Sequence, residues 1–173
     1  MKKIKIIGIF IIFILSFISH FIYDFIPSFL NSILFPVNES IWEHMKLLVT
    51  PTLIFAIIEF LIYRKKGIYY DNFLLSYVIS ITVGIIIYLI IYLPVHYIFG
   101  HNLIFAVILL LVTFIIIQFI SYKLMNCNTI ENYRYISIIS IFIIYIIFGY
   151  LTYNPPKINL FYDSNNKHYG IRH

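Results

Sequence analysis

Residues 73–93 read FLLSYVISITVGIIIYLIIYL, without a single charged side chain. As an α-helix rising about 1.5 Å per residue, this stretch crosses the roughly 30 Å hydrocarbon core of a bilayer. Its isoleucines carry no weight as strand formers, because the whole chain is rich in isoleucine, phenylalanine, tyrosine, asparagine and lysine. A spanning strand would alternate apolar and polar residues over about ten positions, whereas this run is continuously apolar. A helix satisfies all of its own backbone groups in lipid, so a helix is the reading. Comparable runs occupy residues 4–26, 47–63, 103–122 and 135–153. The sequence therefore predicts an all-α polytopic membrane helix bundle with about five spans. It forms one integral membrane domain over 1–173, with a short polar helix start before the second span and an outer tail over 154–173.

Composition agrees. Hydrophobic residues make up 62% and charged residues 11% of the chain, and the mean hydropathy is +0.95. Soluble domains are about half apolar and a quarter charged. The single Cys127 excludes an intrachain disulfide and has no second cysteine for a metal pair. The net charge of +5 comes from short basic clusters beside apolar runs, which membrane topology explains, so nucleic acid is discounted as a partner. The lipid bilayer is the partner that composition implies.

The positive-inside rule sets an orientation. Lys2, Lys3 and Lys5 precede the first run, which resembles a signal peptide without a small-residue cleavage site and reads as an uncleaved anchor. With the N-terminus cytoplasmic, Arg64, Lys65, Lys66, Lys123 and Arg134 are expected on the cytoplasmic side of the cell membrane. Lys46, Lys157, Lys167 and Arg172 are the dissenting outer charges, and the C-terminus is extracytoplasmic. Pro51 should kink the second helix, and Pro94 should end the third. Tyr23, Tyr63, Tyr92, Tyr97, Tyr122 and Tyr153 sit near run ends as interfacial anchors.

The most unusual stretch is Pro36-Val37-Asn38-Glu39-Ser40-Ile41-Trp42-Glu43-His44-Met45-Lys46, polar and ionisable directly before a span. Asn38 can cap a helix, and Ser40 with Glu43 has capping-box spacing. A cap does not require Trp42, His44, Lys46 and two acids. On a helix Glu39 and Glu43 would share a face with Lys46 and Thr50, so that both carboxylates reach one point, with His44 and Trp42 flanking them.

His20 and Asp24, four apart near the end of the first run, form a second constellation in which Asp24 can orient His20. Its bland counterpart is a hydrogen-bonded pair closing a helix end. His96 and His101 flank Gly100, and the predicted topology gathers four of the six histidines at one interface. Ionisable groups at membrane depth are expensive and usually face a cavity. His20, Asp24, Glu43, His44, His96 and His101 are thus candidate metal ligands for zinc or another divalent metal. Glu43, His44, Glu39, His20 and Asp24 are candidate catalytic groups. No H-E-x-x-H or H-x-x-E-H motif supports them, and Ser40 is better explained as a cap than as a nucleophile.

Glu59 lies near the inner end of the second span, where it can pair with Asn72 or snorkel to water, the latter being favoured. Asn38-Glu39-Ser40 matches a glycosylation sequon but lies too close to the membrane for modification. In the tail, Pro155-Pro156 stop the last helix, Leu160 and Phe161 can dock on the bundle, and Asp163-Ser164-Asn165-Asn166 offers turn chemistry.

The Pro36 to Lys46 block resembles a family of small multi-pass bacterial membrane proteins classed as a domain of unknown function, marked by P-V-N-E-S-[VI]-W-E-H-[LM]-K. The resemblance extends to His20-Phe21-Ile22-Tyr23-Asp24, to Pro155-Pro156 and to Leu160-Phe161, Asp163 and Tyr169-Gly170-Ile171. Asp163-Ser164 stands where an Asp-Pro pair is expected. The resemblance implies an integral membrane protein and carries no activity.

Three functional readings remain open on the sequence. One is a protein of unknown activity with a metal- or proton-binding site at the outer rim, or a non-catalytic assembly factor or subunit of a membrane protein partner, its Glu39 to Lys46 block and tail forming an external cap held by hydrogen bonds and an ion pair. Another is a metal-assisted hydrolase or transferase for a lipid-linked substrate. The last is a small ion or solute transporter, for which Glu59, Ser76, Ser80, Thr113 and Gln118 supply few polar steps.

Overall fold

Small residues decide how the first helix packs. The computed structural model describes residues 2–127 and 133–171; the expected outer charge Arg172 lies outside them. Helix α1, Lys2–Phe25, buries Lys5, Gly8, Ile12, Ser16 and Ser19, a stripe spaced by three and four residues. Gly and Ser on such a stripe let backbones approach closely in a lipid setting, where Leu-rich surfaces gain nothing from meeting one another. At Gly8 the approach is closest, since a Cβ there would overlap the Phe55 ring.

Helix α2, Phe29–Leu34, is capped by Ser28. Helix α3, Ile41–His44, leads through Met45 into α4, Lys46–Lys65, so that residues 41–65 form one span. Helix α5 runs Phe73–Phe99, α6 Leu103–Met125 and α7 Tyr133–Tyr153. Among the described residues, five helices are long and apolar enough to cross a membrane. Their outward side chains, such as Ile90, Ile104 and Ile146, are exposed apolar groups that suit lipid rather than water. The protein is an all-α multi-pass membrane bundle. Helix α1 packs on α4 and α6, α5 on α6, and α7 on α2 and α5.

Two boundaries differ from the sequence reading. Helix α5 continues past Pro94 to Phe99: proline removes only one backbone bond, which a membrane helix tolerates. The short α2 was not expected, because its six residues are too few to show a period.

At the end of the bundle where α1 starts, Lys5 Nζ lies 2.7 Å from Glu59 Oε2. It also donates to Ser121 Oγ at 2.8 Å. The Tyr77 and Tyr63 hydroxyls donate to the same carboxylate at 2.5 and 3.0 Å. Glu59 is fully buried and does not snorkel, and its partners are Lys5 of α1, Tyr77 of α5 and Tyr63 one turn along its own helix. Neither is Tyr63 an interfacial anchor: it is buried against the acid. The pairing is remote in sequence, which is why local spacing around Glu59 missed it.

Candidate functional site

At the opposite end, the polar block folds as a cap whose geometry depends on where the helix begins. Ser40 is extended, with φ −71° and ψ 152°, and its Oγ accepts the Glu43 N–H at 3.3 Å. The N-cap is therefore Ser40 rather than Asn38, whose Oδ1 instead accepts the Ser40 N–H at 2.9 Å. Glu39 stands before the helix, so the four-residue face rule does not apply to it. The two carboxylates that were expected to converge point to different partners.

Glu43 turns inward. Its Oε2 meets Lys46 Nζ at 2.6 Å and accepts the Val37 N–H at 3.1 Å, while Oε1 accepts the Thr152 hydroxyl at 2.7 Å. Lys46 Nζ also donates to the Ser32 carbonyl at 2.6 Å and to Thr152 Oγ1 at 2.8 Å. This network fastens α2, α4 and α7 together. Lys46 is therefore no surface charge to weigh in the topology: it is buried and paired inside the protein.

Glu39 turns outward onto two imidazoles. His20 Nε2 and His44 Nε2 lie 3.2 Å apart. Glu39 Oε1 is 3.6 Å from the first and its Oε2 is 3.4 Å from the second. His44 Nδ1 bonds the Ser40 carbonyl at 2.8 Å. As a carbonyl can only accept, Nδ1 carries a proton, so Nε2 offers a lone pair when the ring is neutral and an N–H to Glu39 when it is protonated. One ligand atom from each residue falls within 4.8 Å of the others. Ligands about 2.0–2.1 Å from a tetrahedral ion stand about 3.3–3.4 Å apart, so the two ring nitrogens already have the spacing of neighbours on one ion, and the carboxylate, with one oxygen facing each ring, lies close enough to supply a third ligand. The His20 ring, and after it the His44 ring, hold the Glu39 carboxyl well below the usual carboxylate range, against the opposing effect of burial.

The three residues line one wall of a cavity of about 610 Å³. His96, His101, Tyr88 and Tyr92 also line it, together with apolar Phe17, Leu47, Ala106 and Leu110. The Tyr92 hydroxyl lies 3.1 Å from His101 Nδ1, so this buried tyrosine serves the cavity rather than anchoring at an interface. No lysine or arginine is among the described residues that line it.

The tail folds back over the mouth. Asn159, Tyr162 and Ser164 line the cavity, and Phe161 is buried with its ring centroid 5.1 Å from that of Trp42. Asp163 is fully buried; its Oδ2 accepts the Glu39 N–H at 3.2 Å and its Oδ1 accepts the N–H groups of Asn165 and Asn166 at 2.9 and 3.0 Å. Burial pushes the Asp163 carboxyl up, but these bonds, led by those from Asn166, bring it below its ordinary value. The tail thus grips the backbone of the residue that contacts both histidines.

Of the sequence candidates, His20, Glu39 and His44 come together. His96 and His101 stand elsewhere on the cavity lining, Glu43 is committed to Lys46, and Asp24 is exposed without a bond to His20 among the described residues. Helical spacing pointed His20 at Asp24, whereas tertiary packing of α1 beside the cap gives it Glu39. The roles of Asp163, Thr152 and Tyr88 were missed; a buried carboxylate in a turn of the tail carries no local signal of its target.

No curated protein and no solved structure matches this chain. A family model matches residues 1–171, nearly its whole length: the protein belongs to DUF6512, a family of unknown function.

Proposed function

We propose that His20, Glu39 and His44 bind a divalent transition metal, zinc by ligand type, at the rim of the cavity, and that the protein is a metal-dependent hydrolase for an amphiphilic substrate. The observation carrying this reading is the cluster itself: the two imidazole Nε2 atoms stand 3.2 Å apart, the two Glu39 oxygens face them at 3.6 and 3.4 Å, and one ligand atom from each residue lies within 4.8 Å of the others. Two imidazoles and a carboxylate leave the fourth tetrahedral position open, as catalytic zinc sites do, and such an ion supplies a hydroxide near neutral pH. The Ser40 carbonyl fixes the His44 tautomer. His96 and His101 are the proton carriers available in the cavity, since Glu39 is a ligand and Glu43 is paired away from it. The apolar lining takes the hydrocarbon part of the substrate, and the lack of cationic side chains among the described lining residues favours a weakly charged scissile group such as an ester over a pyrophosphate. The positive-inside count supports an extracytoplasmic rim, with Arg64, Lys65 and Lys66 on the other side.

The test is metal analysis of protein purified in detergent without chelators. About one equivalent of bound zinc is expected, lost in His20→Ala and His44→Ala variants that keep their thermal stability. A shared proton between the two imidazoles is the rival occupant. No bound zinc, together with a melting temperature that responds to pH and not to added zinc, refutes the metal in favour of that proton.

A further inference from the structure

A larger space lies on the other side of α4. It is a groove of about 1050 Å³ bounded by α4, α5 and α7, reaching from Thr50 and Leu34 to Arg64 and Arg134. We propose that it holds an anionic phospholipid, with the phosphate on Arg64 and Arg134 and an acyl chain along Leu53, Ile57 and Phe60. This inference is independent of the metal centre.

The two ends of the groove differ in the way the two ends of a lipid do. Thr50 to Arg64 spans about 21 Å of helix, comparable with one leaflet of hydrocarbon plus a headgroup. Along that length Ile57 and Phe60 are 62% and 44% exposed, so the wall is apolar and uncovered. At the charged end two arginines and one carboxylate, Asp71, are among the described lining residues, an excess of positive charge among them. Tyr69 and Tyr133 stand at the same end as rings suited to the headgroup level. Basic pockets between spanning helices attract anionic headgroups in this manner, and guanidinium is the side chain that meets a phosphate in two parallel bonds. A zwitterionic lipid would fill the apolar part equally well but would draw less from the arginines.

The experiment measures thermal unfolding of the full chain in a mild non-ionic detergent, titrated with phosphatidylglycerol or phosphatidylcholine of the same acyl chains. Phosphatidylglycerol should raise the melting temperature at a lower concentration than phosphatidylcholine. Arg64→Ala and Arg134→Ala should each weaken its midpoint roughly fivefold. Lys65→Ala/Lys66→Ala, which removes as much charge outside the groove, should leave the midpoint unchanged, and glycerol phosphate should have no effect. Leu53→Trp, which fills the apolar part, should abolish the response while the arginines remain. Equal action of both lipids, equal loss in the lysine variant, or stabilisation by glycerol phosphate alone overturns the proposal.

Discussion

Glu43 and Lys46 are three residues apart and their charged groups are 2.6 Å apart, with side chains that are 2% and 0% exposed. A pair so enclosed holds one arrangement of α2, α4 and α7 and does so without touching the cavity. Removing either partner alone leaves a buried charge uncompensated, at a cost of about 3–5 kcal/mol. Glu43→Gln and Lys46→Met should each lower the unfolding midpoint in detergent strongly, and the double variant should recover part of the loss. Additive losses in the double variant would show that the two groups do not stabilise each other.

The second buried pair, Lys5 with Glu59, stands at the other end of the bundle. Glu59→Gln should destabilise to a similar degree, and Tyr77→Phe by about 1–3 kcal/mol through the lost hydroxyl, which donates to Glu59 and accepts from Lys5. Because the two pairs share no partner, Glu43→Gln and Glu59→Gln should add within about 0.5 kcal/mol. Chemical unfolding of the single and double variants checks this.

Gly170 has φ +66°, and a Cβ there would stand 2.8 Å from the Thr152 carbonyl oxygen. Its own carbonyl accepts the Asn38 side chain at 2.9 Å. Gly170→Ala should therefore loosen the tail from the cap by about 1–3 kcal/mol. Limited proteolysis should cut the variant near residues 164–168 while the spanning helices stay intact.

Acid should open the same region. The carboxyls of Glu39 and Asp163 both titrate lower in the folded protein than in an unfolded chain. The folded state then binds fewer protons, so their contribution is complete above about pH 5 and is lost as pH falls through about 4 and below. Hydrogen exchange of the Glu39, Asn165 and Asn166 amides should be slow at pH 6 and faster near pH 3, after correction for intrinsic rates. Asp163→Asn should remove most of that pH dependence.

Span number was legible because lipid demands long apolar helices, and runs such as 103–122 state this without tertiary knowledge. The importance of Pro36 to Lys46 was legible too, since polar groups beside a span need partners. Which partners was not. The face shared by Glu39 and Glu43 existed only if the helix began before Glu39, and the Ser40 cap moved that start by a residue or two. Lys5 read as an orienting surface charge and Glu59 as a snorkelling acid; each was half of a bond spanning 54 residues. His20 had a local neighbour in Asp24 and a tertiary one in Glu39, and packing chose the latter.

The central claim concerns three atoms, and anomalous diffraction at the zinc edge tests it most directly. Crystals of the full chain grown with zinc should show one peak about 2.0–2.1 Å from His20 Nε2, His44 Nε2 and a Glu39 carboxylate oxygen. If no peak stands there at saturating zinc and the two imidazole nitrogens remain in contact at 3.2 Å, the site is a protonated histidine pair and the metal account is wrong.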